Sequence, residues 1–475
     1  MRSKLSPVHI PDDVSVWDFM KGKLQHHSDR NRVAFIDGPT GRRYSYRELL
    51  TSIRNVSSAL LQRGFQKGDI LCVISANCCQ YPMAMYGVLC IGGIMTTCNP
   101  QSTVVASSEA IAKVKDAVQH IQAIKDIFII DGTADCSSFS TLTSQTSDVI
   151  VDCPVVDPRN DIAWIFYSSG TTGIPKGVMR THYNLIADVC QMSHPSIAFS
   201  RSPGEEVYIS VLPFYHGYGS WLFLLQCMAN GDTVVVYPRY NAARFIESVQ
   251  TYKVTIVSVV PPIAVDILLL TEAGDRTAFA SVHTIICGAA PLSADLERQL
   301  KRNTGVVRVQ QAYGMTESGP TTVPEWDDDN SNGSIGIVPS NTEYKVVNPQ
   351  TGEELNAYQD GELLLRGPAV MKGYFNVSSE DDLDIDHWLH TDAGVIGLPD
   401  LRAGELPAAL VTLKAGMMAT EAEIKAFVNE KVAPYNRLRG GVTFIEKVPR
   451  SPSGKILRRQ LRDETLGKLN VTSKL

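Results

Sequence analysis

Four short runs set the limits on how this chain can fold. Asp161-Ile-Ala-Trp-Ile-Phe-Tyr167, Thr233-Val-Val-Val-Tyr237, Val254-Thr-Ile-Val-Ser-Val-Val260 and Val282-His-Thr-Ile-Ile286 are rich in β-branched residues and almost uncharged. Strands covered on both faces read this way, as continuous apolar runs without a wet side. Helix-period segments lie between them, at Asn241 to Tyr252 and at Ser293 to Arg302, the second opened by Ser293 as an N-cap. Alternation of strand and helix predicts an α/β architecture with largely parallel sheets.

The pattern changes further along. From Ser334 to Arg366, short alternating strands with Gly and Pro turns predict a small β subdomain. After Asp392 the chain reads as a separate small α+β unit, whose helix has a capping box of Thr420 with Glu423 and carries Ile424, Phe427 and Val428 on one face. A chain of 475 residues is too long for one core, which agrees with two or three domains. The net charge of -6 gives no electrostatic reason to expect a nucleic acid or an anionic membrane. The ten cysteines show no CxxC pair or metal-ligand spacing and read as reduced, mostly buried thiols. The start of the chain lacks the apolar run of a secretory signal. The most apolar stretch, Met83 to Met95, is too short for a bilayer and is broken by Gly87, Gly92 and Gly93. A soluble, intracellular protein is expected.

The chemistry is concentrated in Tyr167-Ser-Ser-Gly-Thr-Thr-Gly-Ile-Pro-Lys-Gly177, directly after a buried strand. Gly170, Gly173 and Gly177 let the backbone turn tightly and present N–H groups. Ser168, Ser169, Thr171 and Thr172 add hydroxyls, and Lys176 adds a charge. Such a nest suits a polyphosphate. It is not a Walker A loop, since the GxxxxGK[ST] spacing is absent. The ordinary alternative is a flexible Ser/Gly surface loop.

With this loop the chain resembles the adenylate-forming superfamily, which includes acyl-CoA synthetases, 4-coumarate–CoA ligases and firefly luciferases. The resemblance runs from about Trp17 to Arg462. It returns at Cys287-Gly-Ala-Ala-Pro-Leu292, Gln310-Gln-Ala-Tyr-Gly-Met-Thr-Glu317, Asp360-Gly-Glu-Leu-Leu-Leu-Arg-Gly367 and Pro452-Ser-Gly-Lys-Ile-Leu-Arg458. It implies a large AMP-binding domain over 1–391 and a remnant of the small C-terminal domain over 392–475. It also implies roles. Gly288, Ala289 and Ala290 would line the adenine and acyl pocket. Gln311, Ala312, Tyr313 and Gly314 would bracket the adenylate, with Tyr313 on the base. Thr316 would contact the α-phosphate and Glu317 would hold Mg2+, since a hard cation wants carboxylate and phosphate oxygens. Relatives usually have Gly where Ala312 stands, a departure of one methyl. His216, in Pro213-Phe-Tyr-His-Gly-Tyr-Gly219, would sit beside the acyl group, and Arg239 would meet the CoA nucleotide. Lys455 would reach in from the small domain to bridge the substrate carboxylate and the α-phosphate, where a cation lets two anions approach. For Glu317, His216, Arg239 and Lys455 the ordinary alternatives are a solvated carboxylate, a structural histidine, an exposed arginine and a basic helix-start residue.

Two stretches of the family pattern are missing. One falls near Asn99-Pro-Gln-Ser-Thr-Val104, where the chain jumps to Ala106-Ser-Ser-Glu-Ala-Ile-Ala-Lys-Val-Lys. The larger one follows His387-Trp-Leu-His-Thr391, because Asp392-Ala-Gly-Val-Ile-Gly-Leu-Pro-Asp400 resembles a strand well inside the small domain. The Gly-Asp that grips the ribose, a ribose-contacting arginine and the hinge would be lost between them. The resemblance therefore implies an ATP-dependent carboxylic acid–CoA ligase for a fatty or aromatic acid, impaired in this form. Two alternatives stay open: a luciferase-like adenylating monooxygenase, and a non-catalytic isoform that retains nucleotide binding.

The last three residues, Ser473-Lys474-Leu475, read as a peroxisomal address recognised by an import receptor. A reporter fused upstream of the tripeptide is expected in peroxisomes, and one lacking Leu475 in the cytosol. Fluorescence microscopy checks this, and the same distribution for both would refute the address.

Overall fold

A computed structural model describes residues 2–97, 103–119, 124, 126–132, 136–144, 154–168, 175–200, 202–271, 276–326, 334–348, 351–356, 359, 361–376, 383–384, 386–391, 397–400, 404–407, 409–411, 420–431 and 442–444. Two large sheets organise it. A seven-stranded sheet runs in the order Arg308–Gln311, Thr284–Cys287, Ile256–Val259, Val207–Ser210, Thr233–Val236, Val33–Asp37 and Arg43–Ser45, parallel throughout except for the last pair. All four residues of Ile256–Val259 and of Thr284–Cys287 are buried, which is why these runs carry no charge. Side chains alternate between two cores, as a period of two requires: Val234 and Val236 face one, Val235 the other.

The second sheet has eight strands: Gly373–Tyr374, Lys176–Thr181, Ile162–Ser168, Ile94–Thr96, Ile70–Ile74, Thr103–Ala106, Asp126–Ile129 and Ser137–Ser138. Its first two junctions are antiparallel and the rest parallel. The main core fills the space between the sheets, joining Phe35 and Tyr208 of one to Leu71, Val105 and Trp164 of the other through helices Val16–Asp29, Tyr46–Gln62, Tyr81–Cys90 and His182–Met192. Tyr81–Cys90 is buried at every position, so the most apolar stretch of the sequence is a core helix. No described helix is long and apolar enough to cross a membrane. Helices Ala242–Tyr252, Pro261–Thr271 and Ala294–Thr304 cover the far face of the seven-stranded sheet, and Ile111–Val118 that of the eight-stranded one. A π-helical turn, Ser220–Gln226, is buried at all seven positions.

The predicted elements are present with shifted ends. Ser293 is the N-cap expected, its side chain accepting from Leu296 N, and Asn241, read as the first residue of its helix, proves to be a cap too, accepting from Arg244 N. The strand read as Val254–Val260 is only Ile256–Val259, because the Val260 carbonyl turns to accept from Ile263 N and Ala264 N and so starts the next helix. The run Val282–Ile286 becomes Thr284–Cys287, extended by Cys287 pairing with Val259 and Gln311. At the first expected gap the sheet is continuous, since Thr103–Ala106 pairs with strands on both sides.

The β subdomain is an antiparallel set of Glu343–Val347, Glu362–Arg366 and Leu389–His390. Beyond residue 391 the described elements are α+β: the hairpin Gly397–Asp400 with Gly404–Pro407, the parallel pair Ala409–Val411 with Val442–Phe444, and helix Glu421–Lys431. The capping box is formed, with Glu423 N donating to Thr420 Oγ1 at 3.3 Å and Thr420 N to Glu423 Oε2 at 2.7 Å. The eight described cysteines are thiols, and five of them are buried.

The shared core makes a stability prediction. Leu49, on helix Tyr46–Gln62, is 0% exposed. Leu49→Ala is expected to destabilise by about 2–5 kcal/mol through lost burial and the cavity it leaves. A denaturant midpoint that does not fall would show that this core does not carry the fold.

Candidate active site

Parallel strands buried on both faces leave only their ends free to present polar groups, and ligands gather at the carboxyl ends. Here the ends at Gln311, Cys287, Val259 and Ser210 lie side by side. The expected motifs leave from those ends. Gly288–Ala290 follows Cys287, Ala312–Glu317 follows Gln311, and the His216 segment follows Ser210. Gly288 N donates to Val259 O at 3.2 Å and Ala312 N to Cys287 O at 2.9 Å, so the ladder bonds continue into the loops. Gln311 Oε1 accepts from Leu292 N at 2.7 Å and ties the first loop down. Ala289 adopts φ 67°, and both Ala289 and Ala290 are exposed.

The His216 segment folds against these loops. A Cβ on Gly217 would stand 3.9 Å from Thr316 Cα, and one on Gly288 would stand 3.1 Å from the Tyr218 ring. His216 Nδ1 accepts from Tyr218 N at 3.3 Å, capping the short turn Gly217–Gly219 and leaving Nε2 as the proton-bearing nitrogen of the neutral ring. The ring reaches solvent at its edge, yet the protein around it lowers its pKa through desolvation. At neutral pH it carries no charge.

Thr316 and Glu317 form the turn of a tight hairpin, Tyr313–Met315 with Gly319–Thr322. Gly314 is required there, because a Cβ would lie 2.8 Å from Gly319 O. Tyr313 has a buried hydroxyl with no hydrogen-bond partner among the described residues. Burial, with Glu317 nearby, pushes its pKa up to about 12. Glu317 is gripped at both ends: Met371 N donates to its carbonyl at 2.7 Å, and Tyr374 Oη donates to its Oε1 at 3.1 Å.

Tyr374 also links the turn to the strand that begins with Lys176. Ser168 and Lys176 are register partners on antiparallel strands, and Lys176 Nζ lies 4.4 Å from the Tyr374 ring centroid. Phe375 N donates to Gly177 O at 2.7 Å, fastening the hairpin to this segment. The structure thus brings together Lys176, Thr316, Glu317, Tyr313, His216 and Gly288. Arg239 stands apart, in an exposed ion pair with Glu109 at 2.6 Å. Ser169, Gly170, Thr171, Thr172, Gly173 and Lys455 lie outside the described residues. Tyr374 and the buried Arg180, whose Nη1 donates to Thr316 O at 3.2 Å, were not singled out from sequence. Neither sits in a periodic or spaced pattern that would mark it.

Comparison with known proteins agrees with this geometry. Residues 23–375 match the AMP-binding enzyme family, and residues 386–455 match the AMP-binding enzyme C-terminal domain. The chain is 31% identical over 532 aligned positions to 4-coumarate-CoA ligase 1 of Narcissus pseudonarcissus, covering 97% of this chain and 95% of the relative. It is 32% identical over 534 positions to 4-coumarate–CoA ligase 2 of Petroselinum crispum, covering 97% and 96%. Both alignments are longer than the 475 residues available, so the relatives carry residues that this chain lacks. Among solved structures, ATP-bound MatB from Rhodopseudomonas palustris matches with a TM-score of 0.70 at 21% identity, over 95% of this chain and 99% of that one, a likeness of fold. With the loops converging at the strand ends and the family match spanning most of its length, the chain belongs to the AMP-binding enzymes of the adenylate-forming superfamily.

Proposed function

We propose that this protein is an acid–CoA ligase that joins a carboxylic acid to AMP and passes the acyl group to the thiol of CoA. The observation that carries the reading is the convergence of Lys176, Thr316 and Glu317 beside Gly288 and His216. In the first step a carboxylate oxygen attacks the α-phosphorus of ATP, the bond to the β-phosphate oxygen breaks, and pyrophosphate leaves. In the second the CoA thiol, losing its proton, attacks the acyl carbon and AMP leaves. Thr316 and Lys176 would hold phosphate oxygens, with Ser168, Thr171 and Thr172 adding donors. Tyr313, Gln311, Ala312, Gly314 and Gly288–Ala290 would hold the adenosine. Neutral His216 would orient the acyl group without adding charge. Lys455 would bridge the two reacting anions.

Glu317 would hold Mg2+. One of its oxygens already accepts from Tyr374, and no cluster of three His, Cys, Asp or Glu that could hold a metal occurs among the described residues. That donor set suits an ion which takes one or two carboxylates and completes its shell with phosphates and water. When bound, it offsets charge on the departing pyrophosphate. Arg239 would meet the CoA nucleotide, with its Nη2 already paired to Glu109.

We further propose that residues 392–475 are a shortened small domain and that turnover is impaired. Support comes from the alignments that outrun the chain and from the break after Thr391. A missing ribose carboxylate and arginine would remove charge-assisted contacts worth roughly 1.5–3 kcal/mol each. On the terminal Ser473-Lys474-Leu475 alone, we propose the peroxisome as its compartment.

Two measurements test this. Lys176→Ala is expected to weaken ATP binding by roughly ten- to a hundredfold in calorimetry. Tyr374→Phe, which keeps the ring under Lys176 but drops the Glu317 bond, is expected to cause a smaller loss. Unchanged affinity in Lys176→Ala would take the loop out of the site. Separately, acyl-CoA production over fatty and aromatic acids should be at least about a hundredfold slower than from a version with the missing segment restored. Comparable turnover by both forms would mean that the gap spares the reaction.

A further inference from the structure

We infer that the buried ion pair Arg180–Asp188 is a positioning device that sets the Thr316–Gly319 turn for the phosphates of ATP. The inference rests on the reading of Thr316 and Glu317 given above.

Arg180 lies on strand Lys176–Thr181, the strand that begins with Lys176, and Asp188 on the helix that follows, His182–Met192. Arg180 Nη2 and Asp188 Oδ2 are 2.7 Å apart, with the side chains 3% and 1% exposed. The pair touches both ends of the turn. Arg180 Nη1 donates to the Thr316 carbonyl at 3.2 Å. At the other end Gly319 adopts φ 65°, and a Cβ there would stand 2.3 Å from Asp188 Oδ1, so the carboxylate rests where a side chain would otherwise be. Glu317 between them is already held by Met371 and Tyr374, leaving Thr316 and Gly319 as the points that the ion pair fixes.

The pair is not a cheap way to fill this space. Burial pushes the Asp188 carboxyl up to about 7 against the opposing pull of Arg180. Arg180 Nε and Asp188 Oδ1 are buried without hydrogen-bond partners among the described residues. Apolar residues of similar volume commonly hold a core at least as well as a buried ion pair, whereas removing one partner is strongly destabilising. Stability alone therefore does not account for these two residues. Their geometry does: a planar guanidinium can bind a carboxylate with one nitrogen and a backbone carbonyl with another, fixing the distance between them.

The test separates position from stability. In the full chain, the double variant Arg180→Met/Asp188→Leu is expected to unfold near the parent temperature and to bind ATP about tenfold more weakly by calorimetry. Its binding of adenosine, followed by ligand-observed NMR, is expected to be unchanged, because the turn serves the phosphates. Arg180→Lys keeps the charge but not the fork, and it should show the same loss for ATP alone. That single variant decides the matter if the double variant does not fold. Parent-like ATP affinity in a folded variant overturns the inference, as does an equal loss for ATP and adenosine. Thr316→Ala is the control: if it binds ATP like the parent, the reading of the site has failed. If it weakens ATP binding while the pair variants do not, only the inference has.

Discussion

A strand buried on both faces can satisfy its backbone only through its neighbours, and it has no room for charge except at its ends. That constraint organises this molecule. The central strands of the seven-stranded sheet send alternate side chains into two cores, so neither face can host chemistry. Polar function is pushed to the carboxyl edge, where the Gly288, Ala312 and His216 segments leave the sheet within reach of one another.

The second sheet supplies what the first cannot. Its hairpin Ile162–Ser168 with Lys176–Thr181 presents Lys176, and the short strand Gly373–Tyr374 binds the hairpin's outer edge. Through Tyr374, which lies under Lys176 and bonds Glu317, the second sheet reaches the hairpin turn that follows Gln311 of the first. Of the groups proposed to face the phosphates, Thr316 and Glu317 are held by hydrogen bonds from Arg180, Met371 and Tyr374. Fixed donors of that kind need little rearrangement when charge develops in a reaction.

Much of this was legible from sequence because it is local. Apolar runs, the Ser293 cap and the Thr420–Glu423 capping box each depend on residues a few positions apart. The motif residues could be assigned roles through a family resemblance, and the fold brings Lys176, Gly288, His216, Tyr313, Thr316 and Glu317 together but leaves Arg239 paired with Glu109. What could not be read is long-range. Tyr374 reaches Glu317 across 57 positions, and Arg180 reaches Thr316 across 136, with no periodicity to announce either contact. Strand ends shifted for a similar reason: Val260 has strand-forming chemistry, but its carbonyl is taken by the helix beginning at Pro261. His216 shows the limit of motif reading, since its Nδ1 has a local capping duty that the motif gives no hint of.

The π-helical turn Ser220–Gln226 bears on how this family can change by insertion and deletion. It follows directly on the segment that carries His216 and Tyr218, and it runs into helix Cys227–Asn230 with every residue packed. A π turn accommodates one residue more than an α turn does. Deleting that residue and returning to α winding would cover the same angle, so the parts on either side would keep their phase. With the Cys227 end fixed in the core, the lead-in that carries His216 would still face Thr316. A one-residue change of length a few residues from the site, in a stretch without a single charged side chain, is therefore absorbed by the winding rather than passed to the pocket.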